Sequence, residues 1–194
     1  MRVIAGANKG RRLMAAGGRM TRPTTDRVKE TIFNLIGPFF DGGAVLDLYA
    51  GSGALAIEAL SRGAEHAVLV DRSSAACHAI RTNLALCGYQ ERAQLHCLTA
   101  VRALDMIVRH KQQFDYIFLD PPYAQQQISR DMEWLLTHDL LRPRAMVVAE
   151  HDESQALPST FGDTLVRIKY RTYQGQTAIS VYRLANAPRG GKRE

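Results

Sequence analysis

The chain has little cysteine: Cys77, Cys87 and Cys97 among 194 residues, with no C-x-x-C spacing. That excludes a disulfide framework or a zinc ribbon as the scaffold, and the odd count reads as reduced thiols of a cytoplasmic protein. No apolar run reaches the roughly 20 residues that span a bilayer, and Met1-Arg2-Val3 opens no secretory signal. The six histidines stand at no metal-ligand spacing, so no metal is expected. Acid is scarce at the two ends. Residues 1–29 hold eight Lys/Arg against Asp26 alone, and residues 183–194 hold four against Glu194. Between them, 13 basic residues face 17 acidic ones, so the net charge of +6 sits on the ends of a mildly acidic body. Charged ends can serve solubility alone; the other reading is a footprint for phosphate.

What is present suits one soluble domain with its own core: 46% hydrophobic and 23% charged residues. The first 22 residues, rich in Gly, Arg and Ala, predict a small extended or hairpin-like arm. Thr24-Thr25-Asp26 offers helix caps, and Val28, Ile32, Leu35 and Ile36 follow at helical spacing until Gly37-Pro38. From residue 44 strands and helices alternate. Apolar strands are predicted at Ala44–Ala50, His66–Asp71, Ala93–Thr99, Phe114–Asp120 and Ala145–Glu150. Helices are predicted through about Arg62, over 73–87 and 101–110, and around Ile128, Met132, Leu135 and Leu136. This order implies a parallel sheet covered on both faces. Leu165–Tyr173 and Thr177–Leu184 alternate apolar and polar residues about Gln174-Gly175-Gln176, which predicts a closing antiparallel hairpin. The expected division is a basic arm over 1–22, a domain over 23–186 and a disordered basic tail over 187–194.

Two segments carry chemistry. In Asp47-Leu-Tyr49-Ala50-Gly51-Ser52-Gly53-Ala-Leu-Ala56 a strand turns into a helix through G-x-G-x-x-A. Glycines let the backbone turn tightly and lie close to a ligand. Asp71, with Arg72 beside it, ends the next strand twenty residues after Gly51, where an acid can accept from ribose hydroxyls. Asp47 selects among nucleoside cofactors. A carboxylate leading into the turn opposes a pyrophosphate but tolerates a cationic amine or sulfonium. It can equally serve as the buried partner of the turn's own amides.

The second segment is Asp120-Pro121-Pro122-Tyr123, closing the fourth strand of the alternating series. An aryl amine on a base is a poor nucleophile, because its lone pair is delocalised into the ring. A carboxylate and a main-chain carbonyl held by two prolines can accept its N–H bonds and favour the charge that develops. Tyr123 can stack on the base, which must be extruded from folded nucleic acid to reach this point. By itself the motif could merely stop a strand. Beside the glycine turn it implies methyl transfer from S-adenosylmethionine to an exocyclic base amine.

The chain resembles the RsmD family of bacterial small-subunit ribosomal RNA guanine-N2 methyltransferases. The resemblance runs through Arg2-Val-Ile-Ala-Gly6, Lys9-Gly-Arg-Arg-Leu13, Arg22-Pro-Thr-Thr-Asp-Arg27 with Glu30 and Phe33-Asn34, the glycine turn, Glu58-Ala-Leu-Ser-Arg-Gly63, Asp120–Tyr123 and Tyr173 with Gly175-Gln-Thr177. It implies the Rossmann-like class I methyltransferase fold, a seven-stranded, mostly parallel sheet with its last strand antiparallel. It also implies a guanine of 16S rRNA as substrate, in a 30S subunit or an assembly intermediate; a monomer is expected. By the same resemblance Thr24 and Arg27 help close the cofactor site. Such enzymes often have Asp or Asn before Ala after the third strand, reaching the adenine; here Thr99-Ala100 stands there. Arg2, Lys9, Arg11, Arg12, Arg19 and Arg22 are the expected phosphate contacts. On that view, removing the arm should spare cofactor binding and abolish RNA binding. If instead the arm covers a sheet edge, both should suffer.

Three other readings remain open. The motif suits adenine-N6 methylation of DNA, although 194 residues leave no obvious target-recognition domain. It could act on a protein glutamine amide, although Asn usually opens that motif. A catalytically idle RNA-binding scaffold is the third, and Asp71 and Asp120 argue against it.

Overall fold

The computed structural model describes residues 1–17, 26–121, 124–173 and 176–185. In chain order the elements are α1 (Asp26–Ile36), β1 (Ala44–Asp47), α2 (Ala54–Ser61), β2 (His66–Val70), α3 (Ser74–Cys87), β3 (Ala93–His96) and α4 (Ala100–Arg109), then β4 (Phe114–Leu119), α5 (Ala124–Thr137), β5 (Leu141–Asp152), β6 (Thr160–Phe161), β7 (Leu165–Tyr173) and β8 (Thr177–Leu184). The strands form one sheet in the order β3-β2-β1-β4-β5-β8-β7-β6. β1 to β5 are mutually parallel. β8 runs against both neighbours, β5 and β7. The seven expected strands are therefore present with the last one reversed, and the two-residue β6 adds an antiparallel edge to β7.

The central strands are apolar on both faces because helices cover both. On one face α1, α2 and α3 bury Ile32, Phe33, Leu55, Ile57 and Ile80 against Val45, Leu69 and Phe118. On the other, α4 and α5 bury Leu104, Ile107, Ile128, Met132 and Leu135 against Leu46, Ile117 and Val147. Strand order reverses about β1, with β2 on one side and β4 on the other. In such sheets that reversal opens a crevice at the carboxyl ends of the strands.

Element ends differ from the periodicity in instructive ways. β1 stops at Asp47 because the chain there begins its turn, although Leu48 and Ala50 still donate to Phe118 (3.2 Å) and Val70 (2.9 Å). β5 starts four residues before the predicted Ala145; Arg142-Pro143-Arg144 hides that start, and the register with β4 shifts there. α3 is capped as its sequence allows, with Ser73 Oγ accepting from Ala76 N and Gly88 in the left-handed region at φ 69°.

The arm is a hairpin. Val3 N donates to Arg11 O and Gly10 N to Val3 O, both at 2.9 Å, and Leu13 N donates to Met1 O at 3.2 Å. Val3 and Leu13 lie in the core beneath α1 and α2. Gly6 runs so close to α2 that a Cβ there would stand 1.7 Å from Ser61 O, so only glycine fits. The expectation that all three cysteines are separate thiols is corrected: Cys77 and Cys97 are paired, their Cα atoms 6.1 Å apart, and Cys87 is free. The β2–α3–β3 crossover returns the chain so that the first turn of α3 meets the end of β3, a proximity that residue spacing does not encode. The expected tail, residues 187–194, lies outside the described residues.

Candidate active site

Three carboxylates gather at the strand ends about the reversal: Asp47 closes β1, Asp71 follows β2 and Asp120 follows β4. Asp47 is buried, and its Oδ2 accepts from Ala56 N, in the first turn of α2, at 3.2 Å. Burial pushes its carboxyl up to about 7; the Ala56 amide opposes this, and the charges of Asp120 and Asp71 add to it. Burial likewise pushes Asp120 up to about 6. Desolvated carboxylates held near one another are relieved by a cation, so the cluster fits a sulfonium or ammonium group and disfavours a pyrophosphate.

The glycine turn is held from both sides. Gly51 N donates to Asp71 Oδ2 at 2.9 Å and Ser73 N to Asp71 Oδ1 at 2.8 Å, which fixes the carboxylate beside the turn with lone pairs left for hydroxyls. Gly51 and Gly53 take φ of 55° and 76°, the left-handed region that side chains avoid. A Cβ on Gly53 would also press on Leu69 at 3.0 Å. Gly53 N closes the turn on Ala50 O at 2.6 Å.

The remaining candidate residues fall in several places. Tyr49 sends its hydroxyl to Asp131 Oδ2 of α5 at 2.6 Å, and burial with that carboxylate pushes the phenol well above its ordinary range. Arg72 is exposed beside Asp71, and Thr99 is exposed immediately before α4, with Ala100 half-buried behind it. Pro121 is buried after Asp120; Pro122 and Tyr123 lie outside the described residues. So do Thr24, Arg19 and Arg22, whereas Arg27 is exposed on α1. Arg2, Lys9, Arg11 and Arg12 are exposed on the hairpin, and Arg2 pairs with Asp26 at 3.2 Å. A groove of about 580 Å³ lies between hairpin and α1, lined by Arg2, Lys9 and Arg27 among others. None of the three clustered carboxylates lines it. Among the described residues no His/Cys/Asp/Glu group could hold a metal.

Three polar residues that support this arrangement had no role assigned from sequence. Asp131, on the inward row of α5 with Ile128 and Leu135, also accepts from Gln127 at 3.0 Å and ties that helix to the Tyr49 segment. Asn83 is fully buried on α3 between hairpin and glycine turn. Glu58 is fully buried on α2, where it meets Lys29 (3.3 Å), Arg62 (2.8 Å) and the amides of Ile4 (2.8 Å) and Ala5 (3.0 Å). A polar residue within an inward helical row was the available signal for each.

The family described as Conserved hypothetical protein 95 matches residues 1–183. The chain belongs to that family. Among its relatives, YlbH of Bacillus subtilis is 47% identical over 94% of this chain and 98% of its own length. Ribosomal RNA small subunit methyltransferase D of Haemophilus influenzae is 31% identical over 90% of this chain and 93% of its own. The solved structure of yhhF from Escherichia coli superposes with a TM-score of 0.80 at 29% identity, covering 96% of this chain and 99% of that one. The family match takes in the hairpin, the glycine turn, Asp71 and Asp120, so the resemblance read from residues and the site share one set of positions.

Proposed function

We propose that this protein methylates the N2 amino group of a guanine in 16S rRNA, in a 30S subunit or an assembly intermediate, acting as a cytoplasmic monomer. It is an rRNA methyltransferase enzyme that uses S-adenosylmethionine. The observation that carries the reading is the position of Asp120, one residue past β4, beside the turn held by Asp71 and the buried Asp47. S-adenosylmethionine supplies an electrophilic methyl group on a sulfonium. Asp71 would accept from the ribose hydroxyls while still holding Gly51, and Thr99-Ala100 would serve the adenine. Asp47 and its neighbours provide the negative field that favours the cationic end. By the family resemblance Arg27 and Thr24 would help close the cofactor site, and Tyr49 would act at one remove through Asp131.

Asp120 and the adjoining main-chain carbonyl accept the two N–H bonds of the guanine amine and orient its lone pair. As an N–C bond formed and the methyl–sulfur bond broke, the electron pair would pass to sulfur and the thioether S-adenosylhomocysteine would leave; the nitrogen would become positive, and the Asp120 carboxylate would stabilise it and take its proton. A carboxyl pushed up to about 6 is mostly ionised at neutral pH, yet basic enough to hold a proton briefly. In this reading the two prolines of the motif would hold the carbonyl, and Tyr123 would stack on the extruded base. The exposed cations of the hairpin take the RNA phosphates. Cys97 is exposed, so its pairing with Cys77 is open to reduction in the cytoplasm.

The test is to map methylated nucleotides in 16S rRNA from a strain lacking the gene and from its complemented parent. Loss and return of one N2-methylguanine is the expected result. An unchanged 16S map would refute the assignment.

A further inference from the structure

The glycines of the Gly51–Gly53 turn set little steric barrier of their own to peptide rotation, so the turn depends on the contacts that hold it. Glycine flanks Ser52 on both sides, so the peptide planes about it can rotate with little steric cost. Rotation of the Ser52 carbonyl would spoil a surface against which a ligand must lie. Asn83, in α3, opposes that rotation: its Nδ2 donates to Ser52 O at 2.9 Å. The same carboxamide grips the hairpin. Oδ1 accepts from Met14 N at 2.7 Å and Nδ2 donates to Met14 O at 2.9 Å, the pairing that a neighbouring strand would offer. On the other strand of the hairpin, at the same open end, Ser52 Oγ donates to Met1 Sδ at 3.5 Å. Both donors of a fully buried amide thus join segments 38 residues apart in sequence, Met14 and Ser52.

Packing does not require an amide here. Asn83 lies among the apolar Ile80, Leu84 and Cys87 of the inward face of α3. A leucine would occupy similar space, leaving Met14 N–H, Met14 C=O and Ser52 C=O without this partner.

We propose that Asn83 is a positioning residue that makes the N-terminal hairpin and the cofactor turn one mechanical unit. The hairpin's seating then sets cofactor affinity, and RNA docked on the hairpin is felt at the turn. This rests on the reading that the turn holds S-adenosylmethionine and the hairpin meets RNA. By reciprocity, cofactor binding must also tighten the hairpin.

The wild-type protein gives the first test, by residue-resolved amide exchange with and without S-adenosylhomocysteine, with binding followed by calorimetry. Exchange at Met14 N should slow by about tenfold or more on binding. Binding with unchanged exchange at Met14 would overturn the coupling. No binding at all would overturn the cofactor reading and this inference with it. The second test is Asn83→Asp, which keeps shape and acceptor but loses both donors. KM for S-adenosylmethionine should rise about tenfold while kcat on small-subunit RNA changes by less than about threefold. A lowered melting temperature with unchanged KM would make Asn83 a structural residue only.

Discussion

On the proposed function, Asp120 serves the chemistry and Asp71 the cofactor, and single substitutions should separate the two roles. Asp120→Ala should leave S-adenosylmethionine affinity within a few-fold while methyl transfer falls by about two orders of magnitude or more. Calorimetry and a radiolabelled transfer assay would check both, and near-normal turnover would make Asp120 structural. Asp71→Ala should weaken cofactor binding by roughly 1–3 kcal/mol. Part of that loss is indirect, because Asp71 also accepts from Gly51 N at 2.9 Å. Asp47 gives a pH signature. Its folded carboxyl is pushed up to about 7 from an ordinary value of 3.8, so between those values the folded protein holds a proton that the unfolded chain has released. Stability therefore falls as pH rises through this window, by an amount on the order of 4 kcal/mol for this group. Asp47→Asn should remove that part of the slope, measured by denaturant melts of the free protein at pH 5 and pH 8. Equal slopes in both proteins would mean that the buried Asp47 carboxyl is not the source of the pH dependence.

The N-terminal hairpin and α2 behave as one element. Glu58 is fully buried and shared by Lys29, Arg62 and the amides of Ile4 and Ala5, and Arg62 also lies over the Phe33 ring at 4.6 Å. Glu58→Ala should destabilise by about 3–5 kcal/mol, since two buried cations would lose their counter-charge. Deleting residues 1–14 should lower the denaturation midpoint and cofactor affinity together. It strips Val3 and Leu13 from the core and takes Met14 from Asn83. Of the two outcomes left open for this arm, the buried contacts favour combined loss. A truncated protein with full cofactor affinity would refute this.

Across the whole molecule, most of the charge lies away from the core, the buried Lys29–Glu58–Arg62 group apart. The positive excess lies in the ends, and on the hairpin Lys9, Arg11 and Arg12 are exposed. Changing these three to Gln should spare the fold and cofactor binding but weaken RNA binding. The slope of log affinity against log salt should become shallower by roughly 2 to 3, near one unit for each phosphate that is no longer neutralised. An unchanged slope would mean that RNA docks elsewhere.

Much of this was legible in the residues. Hydrophobic runs of 4–8 residues alternating with helical periodicity dictate a parallel sheet, because each such run is buried on both faces. G-x-G-x-x-A, Asp71 twenty residues later and Asp120-Pro121 are local patterns whose spacing follows from strand–turn–helix geometry. Strand order, the extra edge β6 and the early start of β5 were not legible, since pairing partners lie far apart in sequence. Nor were the roles of Asn83, Glu58 and Asp131, or the pairing of Cys77 with Cys97. A buried polar group takes its meaning from what faces it, such as Met14 for Asn83, Lys29 for Glu58 and Tyr49 for Asp131. The sequence by itself determined the element types, the glycine turn and the carboxylate at each of three strand ends, because these depend on neighbours along the chain. Only the tertiary structure decided that the basic hairpin packs its Val3 and Leu13 into the core and is tied to the glycine turn, because both facts rest on contacts between segments that folding alone brings together.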